Sequence, residues 1–367
     1  MKNKCVLCVV GTRPEAIKMA PVILALRKQE WAEVKVLATA QHRDLLDQVL
    51  SIFGIVPDYD LNIMQANQGL AELTARLLPA LDKVLAQASA DIVLAQGDTT
   101  TVMTTALASF YRRIPFGHVE AGLRTGDMSN PFPEEMNRVV ACHLTARHFA
   151  PTDSARENLL RENIPEDCIH VTGNTVIDAL LETTRKDFDI GIELDSTKKL
   201  ILVTSHRREN FGAPMREAFT ALLELAERNG AVELLYPVHP NPNVIRPAHE
   251  ILGGHSRIHL VEPLGYGQFV QAMKQAYLII SDSGGVQEEA PALGKPVLVL
   301  REETERPEAV DAGVVRLVGT DKRLIISEAE KLLNDKDYYL SMARGVSPYG
   351  DGKAAGRIAS ILEEWLV

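Results

Sequence analysis

Residues 277–300, YLIISDSGGVQEEAPALGKPVLVL, hold one complete turn of an α/β fold. The apolar opening, 277–281, has the length and composition of a buried strand. Ser283-Gly284-Gly285 ends the strand and opens a helix, because small residues let the chain turn sharply and leave backbone N–H groups accessible. The helix closes at Gly294, a residue type that tolerates the left-handed conformation past a last turn, and Pro296 prevents continuation. Residues 296–300 are apolar again. Strand, helix and strand in so short a span form a right-handed crossover between parallel strands.

The same alternation extends outward in both directions. Strands are predicted at 4–10, 34–39, 91–95, 115–119 and 148–150 in the first half. In the second half they fall at 200–204, 233–238, 258–261, 277–281, 296–300 and 314–318. Amphipathic helical patterns at 70–87, 215–229 and 268–276 lie between them. The stretch 172–199 begins TGNTVIDALLETTR and turns polar and charged, which marks it as the linker. Six strands precede it, with 170–171 counted, and six follow. The fold class expected is α/β, with two Rossmann-like, doubly wound parallel-sheet domains over 1–172 and 173–352, facing a cleft. In open parallel sheets, ligands sit outside the carboxyl ends of the strands.

The chain's 367 residues exceed one comfortable core and suit two domains of roughly 170–190 residues each. Its 46% hydrophobic and 24% charged residues are ordinary for a globular protein. A formal net charge of −10 argues against a general nucleic-acid binder. No stretch approaches the ~20 apolar residues of a membrane span, and the opening MKNKCVLCVVG lacks a small-residue cleavage site, so a cytoplasmic protein is expected. Cys5 and Cys8 form a CxxC, but residues three apart in a strand point to opposite faces. They read as core thiols. The DxD-like pairs Asp58/Asp60 and Asp187/Asp189 lie in polar loops, so no metal site is expected.

Candidate chemistry collects after the strands. GTRPEAIK, from Gly11 to Lys18, opens a helix with Pro14 in its first turn, and Arg13 and Lys18 add charge where a helix start already attracts anions. It is neither a Gly-rich dinucleotide fingerprint nor a Walker loop. In AQGDTTTV, Asp98 reads as a helix cap that also lies at a strand's carboxyl end. Glu120, in GHVEAGLRTG, is flanked by Val119, Ala121 and Gly122, surroundings that favour a raised pKa and acid–base work. An ion pair with Arg124 is the plainer alternative. Glu134 and Glu135 follow Pro133, where acids also complement a helix dipole. In the second half, His206, Arg207 and Arg208 follow a strand and suit a diphosphate. His239 ends another strand. Glu289 is placed to accept hydrogen bonds from ribose hydroxyls, and Arg306 adds an anion partner.

In this order the segments GTRPEAIKMAP, TAQHRDLLDQVL, DYDLNIM, GDTTT, GHVEAGLRTG, PFPEE, TGNTVIDALL, HRREN, YPVHPNP, DSGGVQEEAP, LGKPVLVLREETERPEA and PYGDG resemble the non-hydrolysing UDP-N-acetylglucosamine 2-epimerases. The resemblance spans nearly the whole chain. It implies the GT-B fold, with a C-terminal helix at about 353–367 returning to the first domain. It implies a homodimer without metal or nicotinamide cofactor, with UDP-N-acetylglucosamine and UDP-N-acetylmannosamine as substrates and N-acetylmannosamine units destined for surface polysaccharide. UDP leaves C1 by anti elimination, giving 2-acetamidoglucal, and adds back after protonation of the other face of C2. Two faces need more than one carboxylate. The resemblance assigns acid–base roles to Asp98, Glu120 and Glu134, and leaving-group stabilisation to His206. It assigns substrate binding to Arg13, Lys18, Phe269, Ser283, Gly284, Gly285, Glu289 and Arg306. Gln41, Arg207 and His239 match parts of a second, activating UDP-N-acetylglucosamine site. The family's frequent HGD is QGD here, at Gln96, and Leu264 replaces a nucleotide-contacting glutamine. A hydrolysing epimerase and a GT-B glycosyltransferase share this fold and are the competing readings.

Overall fold

Apolar runs covered on both faces become parallel strands when helices return the chain to the same edge. The computed structural model describes residues 3–39, 43–63, 68–304, 306–345 and 347–367. Two units emerge, Met1–Glu182 with Tyr349–Val367, and Thr183–Pro348.

In the first unit the strands are β1 (Lys4–Val10), β2 (Ala32–Ala38), β3 (Tyr59–Asp60), β4 (Ile92–Gln96), β5 (Phe116–Val119), β6 (Arg147–Ala150) and β7 (Ile169–Val171). They form one sheet in the order β3-β2-β1-β4-β5-β6-β7, and every neighbouring pair is parallel. Leu7 and Val9 pack with Leu77 and Leu81 of the helix Leu70–Ala88 and with Val102 and Ala106 of the helix Thr100–Tyr111. Cys8 and Val10 on the alternate positions of β1 are equally buried, so the central strand is covered on both faces.

Among the described residues the unit holds seven strands where six were expected. The addition, β3, pairs only Tyr59 with Leu37 and Asp60 with Ala38 at the sheet edge. Two residues carry no alternation for a sequence reading to detect. Asp58 accepts the Val36 amide at 2.7 Å and Asp60 accepts the Asn62 amide at 3.1 Å, so both carboxylates of that DxD-like pair serve the local backbone.

The chain returns to this unit at Tyr349. The helix Ala354–Leu366 packs on the helix Arg13–Arg27. Asp178 accepts its first amides, Ala354 at 3.2 Å and Ala355 at 2.9 Å, a carboxylate at the positive end of the helix dipole.

The second unit contains β8 (Lys199–Thr204), β9 (Val232–Pro237), β10 (Ile258–Val261), β11 (Leu278–Ser281), β12 (Val297–Val299) and β13 (Val315–Leu317). Its order is β10-β9-β8-β11-β12-β13, again all parallel. Ile201, Val203, Phe219, Leu222, Tyr236, Ile280 and Leu298 centre its core. Each sheet therefore has the doubly wound order, reversing direction between β1 and β4 in one unit and between β8 and β11 in the other. Among the described residues, no helix is long and apolar enough to cross a membrane.

Candidate active site

The point where strand order reverses leaves a crevice between two loops that depart in opposite directions. In the first unit Val9 lies opposite Ala95, so the loops after β1 and β4 leave the sheet side by side. Gly11 is required there. A Cβ on it would stand 2.7 Å from Thr39 Oγ1 and 2.8 Å from Thr101 Oγ1.

Thr12 caps the helix Arg13–Arg27, and Glu15 completes a capping box. Glu15 Oε2 accepts the Gly11 amide at 2.5 Å and the Thr12 amide at 2.9 Å. Its Oε1 accepts the Thr99 hydroxyl at 2.5 Å, tying the loop after β1 to the loop after β4. Burial pushes this carboxyl up to about 7, against the pull of those three hydrogen bonds. Arg13, on the exposed first turn, projects into solvent.

Lys18 follows Glu15 one helical turn later and donates to Glu120 Oε1 at 2.5 Å. Glu120 stands immediately after β5 with φ +64, a left-handed conformation that a non-glycine residue adopts at a cost of order 1–3 kcal/mol. The turn aims its carboxylate back along the sheet edge. Gln96 donates to Oε2, and Asn174 donates to Oε1 at 2.9 Å. The side chain is 7% exposed. These donors stabilise the ionised form and oppose the desolvation expected from Val119, Ala121 and Gly122. The ion pair considered for Glu120 has a different partner: Arg124 instead grips Glu162, through Nε at 2.7 Å and Nη2 at 2.8 Å.

Asp98 also departs from its expected local role. The cap of the helix Thr100–Tyr111 is Thr99, whose hydroxyl accepts the Val102 amide at 3.3 Å. Asp98 is thereby released to meet Arg138, which donates to Oδ2 from Nε at 3.0 Å and Nη2 at 2.6 Å. Of the two first-turn acids, Glu135 is the buried one. It takes the Thr125 amide at 2.9 Å, the Gly126 amide at 3.0 Å and Arg138 Nη1 at 2.8 Å. Glu134, the first residue of the helix Glu134–His143, is half-buried. His118 is buried on β5, with Nε2 2.7 Å from the Gly97 carbonyl, and burial lowers its pKa. A carbonyl only accepts, so Nε2 carries the proton and holds the loop before Asp98.

In the second unit Thr204 lies opposite Ser281, and the loops after β8 and β11 meet at Asp282. That side chain is wholly buried. Oδ2 accepts the His206 amide at 2.8 Å, the Arg207 amide at 2.9 Å and the Ser205 hydroxyl at 3.0 Å. Oδ1 faces His206 Nδ1 at 3.3 Å. Desolvation lowers the His206 pKa, with Asp282 acting against it and His239 and Arg207 reinforcing it. The His239 ring stacks on His206 at 5.6 Å between centroids. Arg207 reaches the small-residue turn, its Nη2 3.8 Å from where a Gly284 Cβ would be. Ser283 stands just before the short helix Gly284–Glu289 without a side-chain capping bond, and Gln287 of that helix accepts the Thr304 hydroxyl at 2.6 Å; Thr304 in turn accepts the Arg306 amide at 3.1 Å. Arg306 is ion-paired with Glu288. A Cβ on Gly285 would lie 3.6 Å from Glu289 Oε1. Phe269 is half-buried on the helix Tyr266–Gln275. Gln41 lies outside the described residues.

The structure thus brings Lys18 and Glu120 together in one unit, with Asp98 on the neighbouring strand end. In the other it gathers His206, Arg207, His239, Ser283 and Gly284. Sequence reasoning passed over Glu15, Arg138, Asn174 and Asp282. The Thr12-x-x-Glu15 spacing, a capping-box signature, was available for the first of these; the others depend on distant partners. Among the described residues, no three His, Cys, Asp or Glu side chains are arranged to hold a metal ion.

The family profile described as UDP-N-acetylglucosamine 2-epimerase matches residues 24–363. A UDP-N-acetylglucosamine 2-epimerase from Salmonella typhimurium is 55% identical over 372 residues, covering 99% of each chain. The crystal structure of a putative UDP-N-acetylglucosamine 2-epimerase from Listeria monocytogenes superposes with TM-score 0.93 at 49% identity, over 99% of this chain and 97% of that one. That of the Neisseria meningitidis UDP-GlcNAc 2-epimerase, solved bound to UDP-GlcNAc, gives TM-score 0.88 at 48% identity, over 98% and 100%.

Proposed function

The chain belongs to the UDP-N-acetylglucosamine 2-epimerase family, and we propose that it interconverts UDP-N-acetylglucosamine and UDP-N-acetylmannosamine without net hydrolysis. The observation that carries this reading is Glu120, a nearly buried carboxylate on a left-handed backbone, held by Lys18, Gln96 and Asn174 at the carboxyl end of a parallel sheet. Binding an anionic sugar nucleotide gives such a carboxylate no purpose, since like charge weakens affinity. Moving a proton does.

In the reaction proposed, a carboxylate removes the C2 proton while the C1–O bond breaks, its electron pair leaving with UDP. The products are 2-acetamidoglucal and UDP. A second acid then protonates C2 from the opposite face, and a UDP oxygen re-forms the bond to C1. Asp98, Glu120 and Glu134 share the proton handling. Lys18 fixes the position of Glu120, and Arg138 does the same for Asp98. His206 and Arg207 offset charge on the departing diphosphate, helped by the Ser283 hydroxyl and the backbone amides of Gly284 and Gly285. Glu289 accepts from ribose hydroxyls, while Arg13, Phe269 and Arg306 complete the substrate contacts. No metal or nicotinamide enters this scheme. The same reading describes a cytoplasmic homodimer that supplies N-acetylmannosamine units for surface polysaccharide.

Proton NMR of the protein with UDP-N-acetylglucosamine in D2O, with neither metal nor acceptor, tests it. The expected result is UDP-N-acetylmannosamine carrying deuterium at C2. Stoichiometric release of UDP and free N-acetylmannosamine would instead identify a hydrolysing epimerase. No exchange and no new sugar would remove the epimerase reading and leave a transferase that requires an acceptor.

A further inference from the structure

Asn174 precedes the helix Thr175–Thr183 and is 3% exposed. Three of its hydrogen bonds bear on the site. The side-chain Oδ1 accepts the Val176 amide at 3.1 Å and caps the helix start. The backbone N–H donates to the Tyr349 carbonyl at 2.6 Å. The Nδ2 group donates to Glu120 Oε1 at 2.9 Å. Capping accounts for the first, and a shorter Ser or Thr would serve there as well. The third uses the donor that an amide has and a carboxylate lacks.

The backbone contact is close. A Cβ on Gly350 would lie 3.4 Å from the Asn174 nitrogen, and one on Gly173 would lie 3.5 Å from Gly350 Cα. Four residues beyond Asn174, Asp178 takes the first two amides of the helix Ala354–Leu366. The segment from Tyr349 to Ala355 is therefore anchored on the turn whose side chain reaches Glu120.

We propose that Asn174 is a positioning residue for Glu120. Its amide holds Oε1 in the orientation and ionised state that proton transfer at C2 needs, and its backbone ties that orientation to the returning C-terminal segment. The inference rests on the reading of Glu120 as an acid–base group. The other groups around Glu120 bear on how it titrates. Lys18, from the helix Arg13–Arg27, is its cation, and Gln96, from β4, does not titrate. His118, two residues back on β5, has its pKa lowered by burial, and Asp98, beyond β4, is occupied by Arg138.

Asn174→Asp and Asn174→Ser test this. Both keep an acceptor for the Val176 amide and the backbone bond to Tyr349. The aspartate has no donor and adds a like charge, and the serine hydroxyl, on a shorter side chain, falls short of Glu120. The expected result is a fall in kcat of roughly tenfold or more for the aspartate, the equivalent of one charge-assisted hydrogen bond, and a smaller fall for the serine. KM stays near wild type in both and melting temperature stays near wild type in the serine variant, whereas the aspartate, a second buried carboxylate beside Glu120, also lowers the melting temperature. Glu120 then protonates more readily, so the acid limb of the kcat profile moves to higher pH, further for Asp than for Ser. A limb that stays in place in both variants, or a loss of activity in the serine variant matched by a fall in its melting temperature at every pH, would overturn the inference while leaving the epimerase reading intact. A wild-type protein that exchanges no C2 proton would overturn both.

Discussion

Glu15→Gln preserves the shape of the loop after β1 and removes one ionisation. The carboxylate accepts the Gly11 and Thr12 amides on Oε2 and the Thr99 hydroxyl on Oε1. A glutamine repeats this pattern, its carbonyl oxygen taking both amides and its nitrogen donating to Thr99 Oγ1. What changes is charge. Burial raises the Glu15 carboxyl from 4.5 to about 7, and neighbouring Asp98 pushes the same way. The folded state therefore binds more protons than the unfolded state between those two values. The stability linked to this group is full below pH 4.5 and is lost as pH rises through 7. That difference corresponds to roughly 3 kcal/mol. Glutamine carries no such penalty.

The variant should match wild type below pH 4.5 and exceed it by a margin that grows up to about pH 7 and then levels off. For a unit of this size, 3 kcal/mol corresponds to roughly 6–12 °C in melting temperature. Differential scanning calorimetry of both proteins at pH 5, 6, 7 and 8 gives the comparison. Asp178, also raised by burial, and Glu162, lowered by Arg124, titrate in both proteins and cancel in the difference. A difference that is flat across the series would mean that Glu15 is not desolvated in the folded protein, and the account of this loop would fail.

Asp282→Asn removes the charge that supports a proton on His206 while keeping an acceptor for the His206 and Arg207 amides, so the His206 titration should move to lower pH. Histidine-resolved NMR reads this directly, and an unmoved or raised midpoint contradicts the pairing. Gly122→Ala puts a side chain on a residue with φ +90 and a Cβ 2.3 Å from the Ala155 carbonyl oxygen. A loss of about 2–4 kcal/mol follows, and an unchanged calorimetric melting temperature would refute it.

The strands were legible because burial on both faces leaves continuous apolar runs, which survive without knowledge of partners. Residues 4–10 were placed as β1 occupies them, whereas Tyr59–Asp60 pairs only through backbone at an edge and leaves no such trace. The site was legible in part for a related reason. Glu120 stood out because its neighbours Val119 and Ala121 are apolar, a local property. Its partners did not, since Arg124 is four residues away and chemically suitable while Lys18 is not local at all. The one-residue error at the cap has the same origin. Asp is if anything a better helix cap than Thr, and what decides for Thr99 is non-local, with Arg138 taking the Asp98 carboxylate.

The sequence separations make the point physical. Lys18 and Glu120 are 102 residues apart, Asn174 and Glu120 54, Arg138 and Asp98 40, and Asp282 and the His206 amide 76. Parallel sheets permit this. When every strand runs the same way, every strand-to-helix loop leaves from one edge, and residues far apart in the chain meet there once the register is set. Register therefore matters more to this site than any single loop. A slip of one residue in β5 would exchange the faces of Phe116 and Gly117, and Gly117 has no room for a side chain, since a Cβ there would sit 2.6 Å from Leu94 Cδ2. The glycine that fixes the register of β5 thus also fixes where Glu120 emerges, and the left-handed turn at Glu120 sets where its carboxylate points. Packing in the sheet and geometry in the site are one constraint along that strand.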